Sequence, residues 1–517
     1  MIYMNNKIID GKLTHKIRRL YFKLSPKVVI GIIGIILMYV GLAGTASAMT
    51  PYWVGRGDTA AHMDYVWRIY NGSIPMWEDG VSYPKFLELR TSPVNYQPAS
   101  ANPPLFYIVH APIVGYLMDG GHWKEAVAIG RVINVLMGIS CILVLAWAAW
   151  QVGGRYKKQL TLTVPAFGVL NYRFAILNLD YALDALIVLL ATLMFILIYK
   201  ILSNGVNRQY LVLLTILSVA GMLTKATYII FVAIGILSVL ISYKLNSRKS
   251  DPFIDRKTVR SIAFVAVMTI IFSGWFYFVW NFLRTGSWFS PFPEGFTGGR
   301  DVKGVGEVLA DTRLWGLFYA SYSRLEVISI AISSFALAGW LSFKGSMRES
   351  LSSNKINFAY FSLLGIATAG IFATQIVHAV GIGAYNFRYM LPAIFPISLF
   401  LSFGLVQLMR LRKLVIAISV IGLSLSTFYI LPKLPTFRSG VPGINKISGG
   451  TVPKIEFAIS SNNLPVSISF TLFALFVIGA LLYIYSLNFK LPNYSKFKDT
   501  LKTMINSIFS TREHTKR

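Results

Sequence analysis

A run of apolar residues from Val28 to Ala48 opens a pattern that recurs along most of this chain. A helix rises about 1.5 Å per residue, so about 20 apolar residues cross the roughly 30 Å hydrocarbon layer of a bilayer. Runs of that kind are read at about 27–47, 127–150, 160–177, 183–202, 209–225, 227–243, 261–283, 325–343, 357–379, 390–409, 414–431 and 467–487. Inside hydrocarbon every backbone N–H and C=O must be satisfied by the chain itself, and runs of this length do so as helices. The expected fold is therefore all-α, a polytopic membrane protein of about twelve spans. Composition agrees, with 55% hydrophobic and 14% charged residues, where a soluble chain carries roughly 25% charged. An ordinary cytosolic enzyme and a disordered chain are both excluded.

The net charge of +28 would suit a nucleic-acid binder, but its distribution does not. Lys and Arg cluster in short segments between the apolar runs. With the N-terminus inside, the inner segments are 1–27, 151–159, 200–209, 243–260, 343–356, 410–413 and 488–517, and they hold 31 of the 49 basic residues and six of the 21 acids. Such a bias orients a multi-span chain with its basic loops in the cytoplasm. Both termini are expected there, in the plasma membrane, with no nucleic-acid partner. The chain divides into a basic N-terminus (1–26), a membrane domain (27–487) with a long first outer loop (48–126), and a basic tail (488–517). The first run is read as a retained helix, although Ala46-Ser47-Ala48 would also suit signal cleavage. Cys141, the single cysteine, rules out an intramolecular disulfide and reads as packing.

The first outer loop carries the densest signal. Asp58 precedes a helix-compatible run that stops at Asn71-Gly72. His62, Tyr65, Val66 and Ile69 fall on one face, so an amphipathic helix lying on the outer membrane surface is expected. Asp58 is a natural N-cap; a carboxylate has two oxygens, so capping and proton transfer are compatible. His62 reads as a packing histidine or as a partner of Asp58, and Asp64 as a solvated helix residue or a site residue. Asn102-Pro103-Pro104-Leu105-Phe106-Tyr107 opens a second short helix at the outer interface, too short to span. Loop aromatics (Trp53, Trp67, Trp77, Tyr83, Tyr96) read as interface anchors or as sugar-stacking surfaces, with anchoring favoured.

Charged groups at span ends are costly and are functional candidates by default. Five are expected on the Asp58 side. They are Arg131 near the outer end of the second span, Asp180 and Asp184 around the shortest outer loop, Lys225 in Leu223-Thr224-Lys225, and Arg388 in Arg388-Tyr389-Met390-Leu391-Pro392. Snorkelling of the cations and capping by the acids are the structural alternatives.

In order and type these segments resemble the GT-C superfamily of polytopic glycosyltransferases, whose relatives include protein O-mannosyltransferases and the bacterial transferase that adds aminoarabinose to lipid A. The resemblance covers about residues 27–410. It is carried by an early acid in the first loop (Asp58, within Asp58-x-x-x-His62-x-x-Tyr65), Pro103-Pro104-Leu105-Phe106-Tyr107, an acid in the second outer loop, Leu223-Thr224-Lys225 and Arg388-Tyr389-Met390-Leu391-Pro392. The chain has Asn102 where some relatives place a Lys, and Thr59 where many have a second adjacent acid.

The resemblance implies a polyprenyl-phosphate-linked sugar as donor, a lipid or glycan acceptor, and chemistry on the outer face. Asp58 is implied as general base. Lys225 and Arg388, with Arg131 and Tyr389, are implied at the donor phosphate. His62, Asp64, Asp180 and Asp184 are implied at the acceptor or as orienting groups. No cofactor is fixed by the residues, and dependence on a divalent metal is left open. Direct displacement by an acceptor hydroxyl would invert the anomeric centre. Two readings from other classes stand beside this one: a transporter or flippase of lipid-linked sugars, and a non-catalytic subunit of an envelope-assembly complex.

Overall fold

The computed structural model describes residues 25–51, 59–88, 95–177, 181, 183–246, 256–286, 303–319, 326–342, 355–382, 385, 387–408, 412–433, 446–448 and 450–487. In chain order its helices are α1 (Pro26–Met49), α2 (Thr59–Tyr70), α3 (Leu105–Asp119), α4 (Trp123–Val152), α5 (Lys157–Val169), α6 (Tyr172–Leu177), α7 (Asp184–Asn204), α8 (Arg208–Met222), α9 (Ile229–Asn246), α10 (Arg256–Thr285), α11 (Val305–Ala310), α12 (Thr312–Tyr319), α13 (Glu326–Ser342), α14 (Lys355–Ile382), α15 (Arg388–Val406), α16 (Arg412–Ile430), α17 (Thr451–Ser461) and α18 (Ser467–Ser486). Among the described residues nine helices are long and apolar enough to cross a membrane, and the architecture is all-α and polytopic.

The difference from about twelve expected spans has local causes. Runs 209–225 and 325–343 form α8 and α13, apolar helices of 15 and 17 residues. Run 160–177 breaks in two at Asn171. Its side-chain amide donates to the carbonyls of Phe167 and Gly168 at the end of α5, while its Oδ1 accepts the Phe174 N–H in α6. One residue therefore ends one helix and starts the next. At about 1.5 Å per residue α8 is roughly 22 Å long, short of a roughly 30 Å core. When its Arg208 end stands at one interface, its other end lies below the opposite one.

α1 and α18 pack along their length through small residues. A Cβ on Gly34 would come within 2.7 Å of the Gly479 carbonyl oxygen, and one on Gly479 within 2.6 Å of that of Gly34. Glycine at both positions is what lets the two backbones touch, the usual device where lipid supplies no hydrophobic drive between helices. α7 is the hub of the bundle, packed against α4, α8, α9, α14 and the tight turn Phe387–Ala393 that opens α15.

The first loop is a small domain of its own. Met63, Tyr65, Val66, Phe86, Phe106, Tyr107 and Val114 build a second apolar core beneath the bundle end. This corrects the expectation that α2 lies on the membrane surface. Thr59 to Val66 are buried on every face, because α3 and the segment around Gln97 cover the side that would have met lipid. α3 instead exposes Ile108, Val109, Ile113 and Tyr116, an apolar strip suited to the interface. The loop aromatics divide accordingly. Trp77 and Tyr83 are buried in the loop, Trp77 stacked on Tyr96 with centroids 5.1 Å apart, so these rings hold the loop together. Trp67 donates to Asp119. Trp53 lies outside the described residues.

Candidate functional site

α7 starts at Asp184, the first polar group after a buried turn and the first residue of an otherwise apolar span. Its side chain is buried, and each carboxylate oxygen takes a different cation. Lys225 Nζ donates to Oδ1 at 3.1 Å and Arg388 Nε donates to Oδ2 at 2.6 Å. Lys225 sits in extended backbone between α8 and the turn Ala226–Tyr228, and Arg388 in the turn that opens α15. Both cations keep part of their side-chain surface open, 13% and 16% against 1% for Asp184. Tyr389 completes the group. Its ring lies 5.0 Å from Lys225 Nζ and 4.5 Å from the His378 ring.

The electrostatic consequence is direct. Among the described residues one buried carboxylate faces two cations, so Asp184, Lys225 and Arg388 taken together carry one net positive charge. A lone buried cation would be expensive; sharing Asp184 holds two of them side by side. Two such donors side by side match the geometry of an anion with several oxygens.

The first loop is joined to this cluster through the backbone. The Leu105 N–H, just after Pro103-Pro104, donates to the Leu223 carbonyl at 2.9 Å, two residues before Lys225. Within the loop Tyr107 stacks on Tyr65 with centroids 3.8 Å apart, and its hydroxyl lies 2.7 Å from His62 Nδ1. Tyr65 donates to the Asn102 carbonyl. Burial pushes the Tyr65 hydroxyl pKa up, with Arg284 opposing it, so Tyr65 stays neutral. His62 is thus a buried partner of Tyr107 in the first turns of α2.

Asp64 corrects the expectation of a solvated residue: it is fully buried. Its oxygens accept from the Arg68 guanidinium (3.0 Å), the Gln97 amide (2.7 Å), and the backbone N–H groups of Ser82 (2.9 Å) and Tyr83 (2.8 Å). It ties α2 to two distant stretches of the loop and is committed to that task. Asp64→Ala leaves these donors without their acceptor, which is expected to loosen the loop by about 3–5 kcal/mol. Hydrogen exchange across residues 59–126 should rise while the α1–α18 pair keeps its protection.

Arg131 also has a structural post. It is buried in α4, and its guanidinium donates to the carbonyls of Thr50 (2.8 Å), Pro51 (2.9 Å) and Ser47 (3.3 Å) at the end of α1. A cation there satisfies carbonyls that a helix leaves open and meets the negative end of its dipole. Arg131 therefore fixes where the first loop departs rather than joining the Lys225–Arg388 pair.

Tyr181 sits one residue after Asp180 and three before Asp184, with φ 54°. This left-handed backbone is uncommon for a bulky residue and is held by its surroundings. The buried ring packs over Gly130 so closely that a Cβ there would come within 1.9 Å of it. On its other side the His110 ring is 4.9 Å away. Burial pushes His110 down to about 4, so the imidazole is neutral. The turn that delivers Asp184 is thereby locked between α3 and α4.

Arg284 was not among the residues singled out in the sequence. It is buried in the last turn of α10, beside Asn281, with Nη1 3.5 Å from Ser100 Oγ in the segment before Pro103. It ends an apolar run, the same signal that marked Lys225 and Arg388, but falls one residue beyond the expected span 261–283. Asp58 and Asp180 lie outside the described residues. Among the described residues no three His, Cys, Asp or Glu side chains cluster as a metal site.

No family model matches the chain, and no curated protein matches it. It is similar to the structure of ArnT from Cupriavidus metallidurans bound to undecaprenyl phosphate, at 15% identity over 89% of this chain and 76% of that one, with a TM-score of 0.47. It is also similar to the Archaeoglobus fulgidus oligosaccharyltransferase tethered with an acceptor peptide, at 14% identity over 92% of this chain and 56% of that one, with a TM-score of 0.41. The archaeal oligosaccharyltransferase AglB from the same organism, in complex with an inhibitory peptide and a dolichol-phosphate, gives 12% identity, 90% and 56% coverage, and a TM-score of 0.41.

Proposed function

We propose that this chain is a membrane glycosyltransferase that moves a sugar from a polyprenyl-phosphate donor to an acceptor hydroxyl on the outer face of the membrane. The observation that carries the reading is the shared carboxylate of Asp184, which holds Lys225 and Arg388 side by side at the bundle end that also carries the first loop. A lipid phosphate approaching from the bilayer would meet both cations near the membrane border.

The chemistry follows from charge. Glycosyl transfer develops positive charge on the sugar and negative charge on the departing oxygen. Lys225 and Arg388 are placed to stabilise the departing phosphate, and donors already oriented need no rearrangement as charge builds. Asp58, one residue before α2, takes the acceptor hydroxyl proton as the new bond forms. Attack opposite the leaving phosphate inverts the anomeric centre. The outer-face assignment comes from the basic inner segments. A transporter would be expected to keep its charged groups near the bilayer midplane; here they stand at helix starts.

The test is a deletion strain restored with wild-type protein, with envelope glycans and lipid-linked sugars profiled by mass spectrometry. The expected result is one glycan missing a sugar, with its polyprenyl-phosphate donor accumulated, and both reversed on restoration. Running the reconstituted reaction with and without a chelator reads metal dependence in the same experiment. An unchanged glycan profile in the deletion strain would sink the proposal.

A further inference from the structure

At the end of the bundle opposite the ion cluster, α8 and α10 leave an open cleft of about 460 Å³. Arg208 and Lys257 stand at its mouth, Tyr243 and Ser261 form its polar floor, and Val212 and Phe264 form an apolar wall. Tyr243 and Ser261 share a hydrogen bond of 3.0 Å, and Lys257 Nζ lies 5.8 Å from the Tyr243 ring. Among the described residues that line it, none is acidic. Among the described residues neither Arg208 nor Lys257 has a carboxylate partner. Arg256 and Arg260, both exposed, add positive charge beside the mouth.

We propose that this cleft binds an anionic glycerophospholipid of the adjacent leaflet. Its phosphate would sit between Arg208 and Lys257, and an acyl chain would run along Val212 and Phe264. Charge and apolarity argue together for that occupant. Two cations at a membrane border attract an anionic headgroup. A soluble anion would have no use for the wall beneath them, where Val212 and Phe264 stay 40% and 39% exposed. The start of α8 at the cleft adds its positive dipole end. The site is independent of the proposed transfer chemistry, since every one of its residues lies at the other end of the helices that carry Lys225 and Arg284.

The test uses the full chain purified and placed in phosphatidylcholine nanodiscs, titrated with phosphatidylglycerol and read by native mass spectrometry. Wild type should hold one phosphatidylglycerol in preference to phosphatidylcholine. Arg208→Gln with Lys257→Gln should weaken it by roughly thirtyfold. Both are exposed, so the fold should tolerate the change. As a control, Lys158→Gln with Lys413→Gln removes two exposed cations from the same end but outside the cleft, and should change binding less than twofold. Equal loss in both double variants would mean general surface charge and would overturn the proposal. So would equal retention of the two lipids, displacement by millimolar inorganic phosphate, or displacement by a polyprenyl phosphate at lower concentration.

Discussion

Arg388→Gln is expected to lower sugar transfer by about 10²–10³-fold, the usual cost of removing one oriented donor from a developing negative charge. Two effects combine. The departing phosphate loses a donor, and Asp184 loses the partner on its Oδ2, so that Lys225 is drawn more fully into neutralising the carboxylate. Arg388→Lys separates them. A lysine restores the charge beside Asp184 but not a planar fork, so the fold should recover more fully than the rate. The measurement is steady-state transfer by reconstituted protein at equal folded amounts, using the donor that accumulates in the deletion strain. Transfer within fivefold of wild type would place the phosphate elsewhere, and Arg284, beside Ser100, would be the next cation to remove.

Asp58→Asn should cost about 10²–10⁴-fold in turnover while leaving donor binding nearly intact. The amide keeps the size of the side chain and its ability to cap α2 through an oxygen, but it cannot accept the acceptor's proton. That separates the two roles the sequence leaves open. A cap that does nothing else would let Asp58→Asn pass with unchanged kcat. A base would lower kcat, leave KM for the donor within a few fold, and remove the loss of activity at low pH that protonation of a carboxylate imposes on wild type. Asp58→Glu should return part of the rate.

The reach of the sequence shows in particular residues. Run lengths and hydropathy located each span from its own neighbours, because a segment in hydrocarbon must satisfy its own backbone. They overextended at Asn171, where one polar side chain turns the helix by bonding to its own backbone. They also left α2 on the membrane surface, since an amphipathic pattern states that one face is apolar but not whether a second element covers the other. Arg131 was legible as a costly charge and Asp64 only as a helix residue of the first loop, and the partners of neither were legible. The Ser82 and Tyr83 N–H groups and the Thr50 and Pro51 carbonyls are backbone atoms, which carry no residue signature.

By itself the sequence determined that the chain is a bundle of apolar helices, that its basic residues cluster between the apolar runs, and that Asp184, Lys225 and Arg388 stand at helix ends. Each of these is a local property, written in the residues next to it. Only the tertiary structure decided that one buried carboxylate holds both cations. Asp184 and Lys225 are 41 residues apart, and Asp184 and Arg388 are 204 apart. Their meeting depends on α8, α9 and the start of α15 all packing around α7, a matter of side-chain fit between distant helices that no short pattern records.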